Sequence, residues 1–294
     1  MGLIYASIDI GSNAIRLLFE QVYETKKGPI FKKLSLVRLP VRLGEDAFVK
    51  DYISTKKAQK VLHIAHSFKH LCEVFEVDAY LATATSAMRD AKNGGKIIQQ
   101  IKDETDIDVR IIPGEEEASI LYESIFNTGK IDSNKSYVFI DVGGGSTEIN
   151  LFENGVREKW KSFNLGTVRL KEGIQNPDEW GRMEKWIKKN IKSENPDFAV
   201  GTGGNINKIY KLCGLGDWKI LTRDVLDAKI KELATFSQKE LIEKFELKSD
   251  RADVIVEGGE IYLRAMKAAK VKEMIVPKVG LSDGLIRRMY LEGR

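Results

Sequence analysis

The chain has 294 residues, of which 43% are hydrophobic and 31% charged, with only 6 prolines. That length allows two domains or one large one, and the composition is globular rather than disordered or collagen-like. The net charge of +4 permits an anionic ligand but falls far short of a nucleic-acid binder, no apolar run reaches the ~20 residues of a membrane span, and two cysteines cannot build a disulfide framework. The first ten residues have no basic lead and enter a strand pattern directly, so no secretion leader is expected. Ala6 stands where a myristoylation signal needs Ser or Thr, and a reduced, cytoplasmic protein is the expectation.

In chain order, residues 3–10, 15–23 and 30–39 read as strands separated by turn residues, an antiparallel meander. Ser54 is expected to cap a helix reaching about Val77, with Ala58, Val61, Ala65, Phe68, Cys72 and Phe75 on one buried stripe. Strands at 79–83 and 109–112 alternate with helices at 95–105 and 115–127, the pattern of an α/β layer fold. A second start follows, with strands at 137–141, 147–152 and 155–163. After it come helices at 178–193 and 205–213 around a strand at 198–201. The last third reads as helices at 222–234, 237–244 and 250–269, a strand at 273–277 and a helix at 282–292. The two halves look duplicated. Ser7 to Ser12 lines up with Phe139 to Gly144, and Leu81 to Ser86 with Ala199 to Gly204, in the same order.

The strongest local signal is Asp141-Val142-Gly143-Gly144-Gly145-Ser146-Thr147-Glu148. Glycines let the backbone approach a ligand, successive N–H groups in such a turn form a concavity for phosphate, and Ser146 and Thr147 add hydroxyl donors. Asp141 and Glu148 can hold a hydrated Mg²⁺, which takes one or two carboxylates plus substrate phosphates. A plain hairpin turn is the competing account. The partner loop Asp9-Ile10-Gly11-Ser12-Asn13 weakens it, because two such loops suggest a phosphate chain clamped between two domains. Asp9 would then be a further metal carboxylate, with Ser12 and Asn13 on the phosphates. Neither loop is a Walker A or dinucleotide fingerprint.

Arg89, beyond Thr83-Ala84-Thr85-Ser86, and Arg169, in Leu165-Gly166-Thr167-Val168-Arg169, suit bidentate phosphate binding, although a surface ion pair would account for either alone. Gly201-Thr202-Gly203-Gly204-Asn205 leads into a helix and is a third candidate phosphate loop. Glu115-Glu116-Glu117 also opens a helix; acids there complement the macrodipole, or one could be a general base for water. The residue types do not choose among the three. His63, His66 and His70 point opposite the apolar stripe and are expected in solvent rather than on a metal. Residues 185–192 form a basic amphipathic stretch, read as a solvated face that could also attract a long polyanion.

These blocks together resemble the exopolyphosphatase / guanosine pentaphosphate phosphohydrolase (Ppx/GppA) family. The carrying segments are residues 9–17, 82–89, 114–118, 141–148, 165–169, 203–206 and 280–285, nearly the whole chain. The resemblance implies an α/β fold of two actin-like (ribonuclease-H-like) domains with an interdomain active-site cleft. Its division would be residues 1–127 joined by the C-terminal helix 282–294, and residues 128–281. It implies Mg²⁺-dependent release of terminal orthophosphate from inorganic polyphosphate, with Mn²⁺ as a substitute metal and guanosine pentaphosphate as the alternative substrate. Glu117 matches the family's general base, Asp141 and Glu148 its metal and phosphate carboxylates, and Arg89 its phosphate-binding arginine. Gly143, Gly144, Gly145, Ser146 and Thr147 would hold the terminal phosphates. Two departures stand out: Pro113 where Ser is frequent, and Ser282 where Arg is common, which removes a cationic contact. Longer members carry extra helical domains, so a preference for very long chains is not expected here. Two other classes compete. An actin-like ATPase or sugar kinase would need an adenosine pocket that the sequence does not show. A non-catalytic sensor of guanosine tetraphosphate or polyphosphate is disfavoured by the intact Glu117, Asp141 and Glu148. A homodimer is compatible with these readings; nucleic-acid and membrane partners are not expected.

Overall fold

In the computed structural model, which describes residues 2–26, 28–191 and 196–293, the chain divides into two units, residues 1–124 with 280–294 and residues 125–279. The expected end of the 178–193 helix, including Lys192 of the basic stretch, and position 294 of the C-terminal helix lie outside the described residues.

The first unit begins with β1 (Leu3–Ile10), β2 (Ala14–Tyr23) and β3 (Ile30–Pro40), paired antiparallel as the meander the turn residues foretold. α1 (Leu43–Lys50), α2 (Thr55–Val74), β4 (Ala79–Ala84), α3 (Ser86–Asp90), α4 (Gly94–Thr105), β5 (Val109–Ile111) and α5 (Gly114–Phe126) follow. The sheet order is β3-β2-β1-β4-β5, with β1, β4 and β5 parallel. Ile8, Ile10 and Ile15 turn one sheet face toward Val61, Ala65 and Phe68 of α2 and Ile101 of α4. The other face is closed by the last helix, whose Ile286 and Met289 pack on Tyr5, Leu18 and Val22.

The second unit repeats the plan with β6 (Tyr137–Val142), β7 (Thr147–Glu153), β8 (Val156–Phe163), α6 (Thr167–Lys171), α7 (Glu179–Asn190), β9 (Phe198–Thr202) and α8 (Gly204–Leu212). It adds β10 (Leu221–Thr222), α9 (Arg223–Ala234), α10 (Gln238–Phe245), α11 (Ser249–Ala252), α12 (Ile255–Ala268) and β11 (Glu273–Ile275). α13 (Leu281–Leu291) returns to the first unit. The second sheet runs β8-β7-β6-β9-β11-β10, so its first four strands match the first sheet place for place. The α/β class and the actin-like arrangement of each unit are those expected. No helix among the described residues is long and apolar enough to cross a membrane.

Several boundaries move, each for a local reason. The division falls inside α5, not after residue 127, because Phe126 packs against Phe139 and Phe152 of the second unit, with ring centroids 5.7 and 5.4 Å apart. Ser54 stands at the N-cap of α2, but its hydroxyl donates to Asp46 Oδ2 at 2.5 Å instead of capping the helix. α2 stops at Val74, two residues before Glu76 takes a φ of 50°. The helix expected at 250–269 is two, broken at Val254, whose φ of −141° lies outside the helical range. α1, α3 and α6 have no counterpart in the sequence reading; each is eight residues or shorter, too brief for a periodic pattern.

Candidate functional site

The triple-glycine loop of the second unit is shaped by the short helix behind it. The carbonyl of Gly143 accepts the Thr167 N–H at 3.1 Å, that of Gly144 accepts the Val168 and Arg169 N–H groups at 2.8 and 3.3 Å, and that of Gly145 accepts Arg169 Nε at 2.8 Å. In a trans peptide the next N–H points opposite the carbonyl. The peptides of this loop are trans, so the N–H groups of Gly144, Gly145 and Ser146 all turn away from α6, a ready concavity for an anion. Gly166 makes this possible: a Cβ there would stand 2.4 Å from the Gly144 carbonyl oxygen. The first unit uses α1 in the same way. Gly44 N–H donates to the Ser12 carbonyl at 2.9 Å and Arg42 N–H to that of Asn13 at 3.0 Å.

Two side chains expected on phosphate are turned inward. Thr147 is fully buried and its hydroxyl donates to the Leu165 carbonyl at 2.5 Å, so it secures the loop and has no proton to offer a ligand. Arg169 commits its Nε to the loop itself. Ser146 stays at the buried edge of the turn.

One row of residues crosses each sheet at the loop end. In the second unit Thr202, Asp141, Glu148 and Ser162 stand side by side on β9, β6, β7 and β8. The same four places in the first unit hold Thr83, Asp9, Arg16 and Arg38. Asp9 is therefore answered by a cation, with Arg16 Nη1 2.6 Å from its Oδ2. Asp141 instead faces a second carboxylate, Glu148, directly across the ladder, a like-charge pair that would favour a cation. Thr202 Oγ1 donates to Asp141 Oδ1 at 2.7 Å, and Ser162 Oγ donates to Glu148 Oε1 at 2.8 Å. Among the described residues no cluster of three or more His, Cys, Asp or Glu could hold a metal. Two hard oxygen donors beside an anion-binding turn fit Mg²⁺, which keeps water and substrate phosphate in the rest of its shell. Behind the row, the Tyr262 hydroxyl donates to the Thr202 carbonyl; its complete burial, and then the Asp141 charge, keep that phenol protonated well beyond its usual range.

The third loop caps α8. Gly203, at a φ of 106°, leaves room that a side chain would fill, since a Cβ would lie 2.7 Å from the Val142 carbonyl oxygen. Asn205 is buried and accepts a hydrogen bond from Arg251 Nη1 at 2.6 Å, while the Arg251 guanidinium lies against Gly204. A guanidinium and a helix N-terminus thus meet at one point, two positive ends together. In the first unit the hydroxyls of Ser12 and Ser86 pair at 2.7 Å, and Arg89 Nη1 donates to the Ile112 carbonyl at 2.9 Å. The three glutamates separate. Glu116 is clasped by Arg110 Nη2 and Nη1 at 2.5 and 2.8 Å, with Arg288 3.2 Å away, and the Arg110 guanidinium holds its carboxyl below the usual range. Glu115 is exposed and Glu117 half-buried. Thr202 belongs to the third glycine loop of the sequence, whereas Arg251, Ser162 and Tyr262 are legible in no motif. Each of these three reaches the site through contacts between distant positions.

The chain is 29% identical over 98% of its length to the bifunctional 3-dehydroquinate synthase/phosphatase of Fusobacterium nucleatum, and it spans 46% of that protein. It is 24% identical over 96% of its length to exopolyphosphatase 1 of Mycobacterium tuberculosis, covering 86% of that protein. Its fold matches the crystal structure of the Aquifex aeolicus Ppx/GppA family member, with a TM-score of 0.80, 23% identity and 99% of each chain covered. An exopolyphosphatase from Cytophaga hutchinsonii gives a TM-score of 0.85 at 21% identity, over 99% of this chain and 98% of that one. The profile of the Ppx/GppA phosphatase family matches residues 21–292, and the chain belongs to that family.

Proposed function

We propose that the protein is an Mg²⁺-dependent exopolyphosphatase that releases terminal orthophosphate from inorganic polyphosphate. The carrying observation is the triple-glycine turn with three N–H groups aimed away from α6, next to the Asp141–Glu148 pair. The mycobacterial relative, named an exopolyphosphatase, supports the same reading. The N–H groups of Gly144, Gly145 and Ser146 bind the oxygens of the terminal phosphate, with Arg89 as the cationic contact and Gly203, Gly204 and Asn205 on the preceding phosphates. Asp141 and Glu148 hold the cation, which when bound offsets charge on the phosphate oxygens. Asp9 stays with Arg16. Glu117 takes a proton from water as its oxygen attacks the terminal phosphorus. The bridging P–O bond breaks on the opposite side, and the chain leaves one phosphate shorter. Positioning and electrostatic stabilisation supply most of the acceleration, as in other phosphoryl transfers.

The test is side-by-side turnover of polyphosphate and guanosine pentaphosphate at one Mg²⁺ concentration. Faster release of orthophosphate from polyphosphate is expected. Preference for guanosine pentaphosphate would reassign the substrate while keeping the machinery. ATP binding without either activity would overturn the proposal in favour of an actin-like ATPase or kinase.

A further inference from the structure

The acidic row of the second unit has a neighbour that no motif includes. Ser162 lies directly opposite Glu148 in the β7–β8 ladder, and its Oγ donates to Glu148 Oε1 at 2.8 Å. On the other flank Thr202 does the same for Asp141 at 2.7 Å. The two carboxylates are thus bracketed by hydroxyls, one from each adjoining strand. The matching row of the first unit makes the contrast informative. There the place of Glu148 is Arg16, and the place of Ser162 is Arg38. A hydroxyl donates one hydrogen bond and adds no charge, so Ser162 orients its acid without cancelling it. An arginine in that place would neutralise the pair. Glu148 is only 4% exposed, while Ser162 is exposed on the edge strand. A hydroxyl donor held at a fixed ladder position narrows the rotation of the carboxylate, which favours a cation that needs a fixed oxygen.

We propose that Ser162 is a positioning residue for the cation, holding the Glu148 carboxylate in the rotation that binds Mg²⁺. This rests on the assignment of a cation to Asp141 and Glu148. The experiment is a titration of the full chain with Mn²⁺ alone, read by the loss of free-ion paramagnetic resonance. It is repeated with orthophosphate present, for the wild type, Ser162→Ala, Ser162→Thr and Ser162→Arg. Removal of such an outer hydrogen-bond donor is expected to weaken Mn²⁺ affinity by about 10–100-fold. Ser162→Thr, which keeps the hydroxyl, restores it, and Ser162→Arg abolishes binding. The melting temperature of the Thr variant stays at the wild-type value, and any fall in the Ala variant is read separately from its Mn²⁺ affinity. Thr202→Val weakens Mn²⁺ binding in the same direction through Asp141. Wild-type affinity in Ser162→Ala, or equal losses in the Ala and Thr variants, would overturn the proposal. A wild type that binds no Mn²⁺ would instead overturn the cation assignment beneath it.

Discussion

The three glutamates at the start of α5 show how neighbours separate identical side chains. Glu116 already has two arginines, and an acid held ionised by guanidinium groups is a poor proton acceptor. Glu117→Gln is expected to lower kcat by about 10²–10⁴, the usual worth of a positioned general base, with an unchanged melting temperature. Glu116→Gln should instead lower stability, since Arg110 loses its bidentate partner and Arg288 one of its two, and Glu115→Gln should leave kcat unchanged. Equal turnover in all three variants would reduce the cluster to a helix start. At the other acidic position, Asp141→Asn is expected to weaken both the rate and its dependence on Mg²⁺. Full wild-type activity in excess chelator would contradict that. The general-base alternative was open in the sequence because residue type and charge are the same for all three acids; the arginines that folding brings to Glu116 set that one apart.

Elements that look minor set the geometry. α6 is five residues long, yet it orients every peptide of the triple-glycine loop, and Gly166 is the point of closest approach. Gly166→Ala is expected to push the loop off α6 and cut kcat/KM about 100-fold, the scale of a displacement of about 1 Å near reacting atoms. Steady-state kinetics beside a melting curve would check it. A second element-level effect lies between β2 and α13. Glu20 is 1% exposed, and burial first, then the charge of Asp283, push its carboxyl up to about 7 against the opposing pull of Arg287 and Lys33. The unfolded chain loses this proton near pH 4.5 and the folded chain near 7. Stability should therefore fall as pH rises across that window, by up to about 3 kcal/mol, and level off above it. Glu20→Gln should remove that component, seen as a smaller difference between denaturation midpoints at pH 5 and pH 8 than in the wild type. Equal pH dependence in both proteins would refute the assignment.

At the scale of the molecule, the two units have separate cores, and the chain returns to the first one only in its last helix. α13 buries Leu285, Ile286 and Met289 against that unit, each worth about 1.5–3 kcal/mol. All four tryptophans, Trp160, Trp180, Trp186 and Trp218, lie in the second unit. A chain ending at residue 279 is expected to lose the first unit's cooperative melt by circular dichroism while keeping the tryptophan fluorescence transition. Simultaneous loss of both signals would mean that the second unit cannot fold alone.

The sequence by itself determined the α/β class, the duplicated plan and the loops that carry the family resemblance. These are written locally, in alternating apolar runs, glycine turns and strand-end acids. Tertiary structure decided what each residue in those loops is free to do. Thr147 carries the same hydroxyl as any donor on paper, but folding spends it on Leu165. Asp9 and Asp141 occupy equivalent motif positions, and only strand pairing sets Arg16 beside one and Glu148 beside the other. Arg251 reaches Asn205 from a position 46 residues away. Short-range patterns can specify an element and its turn. The charge balance of a site is a sum over strands and helices that meet only when the chain has folded.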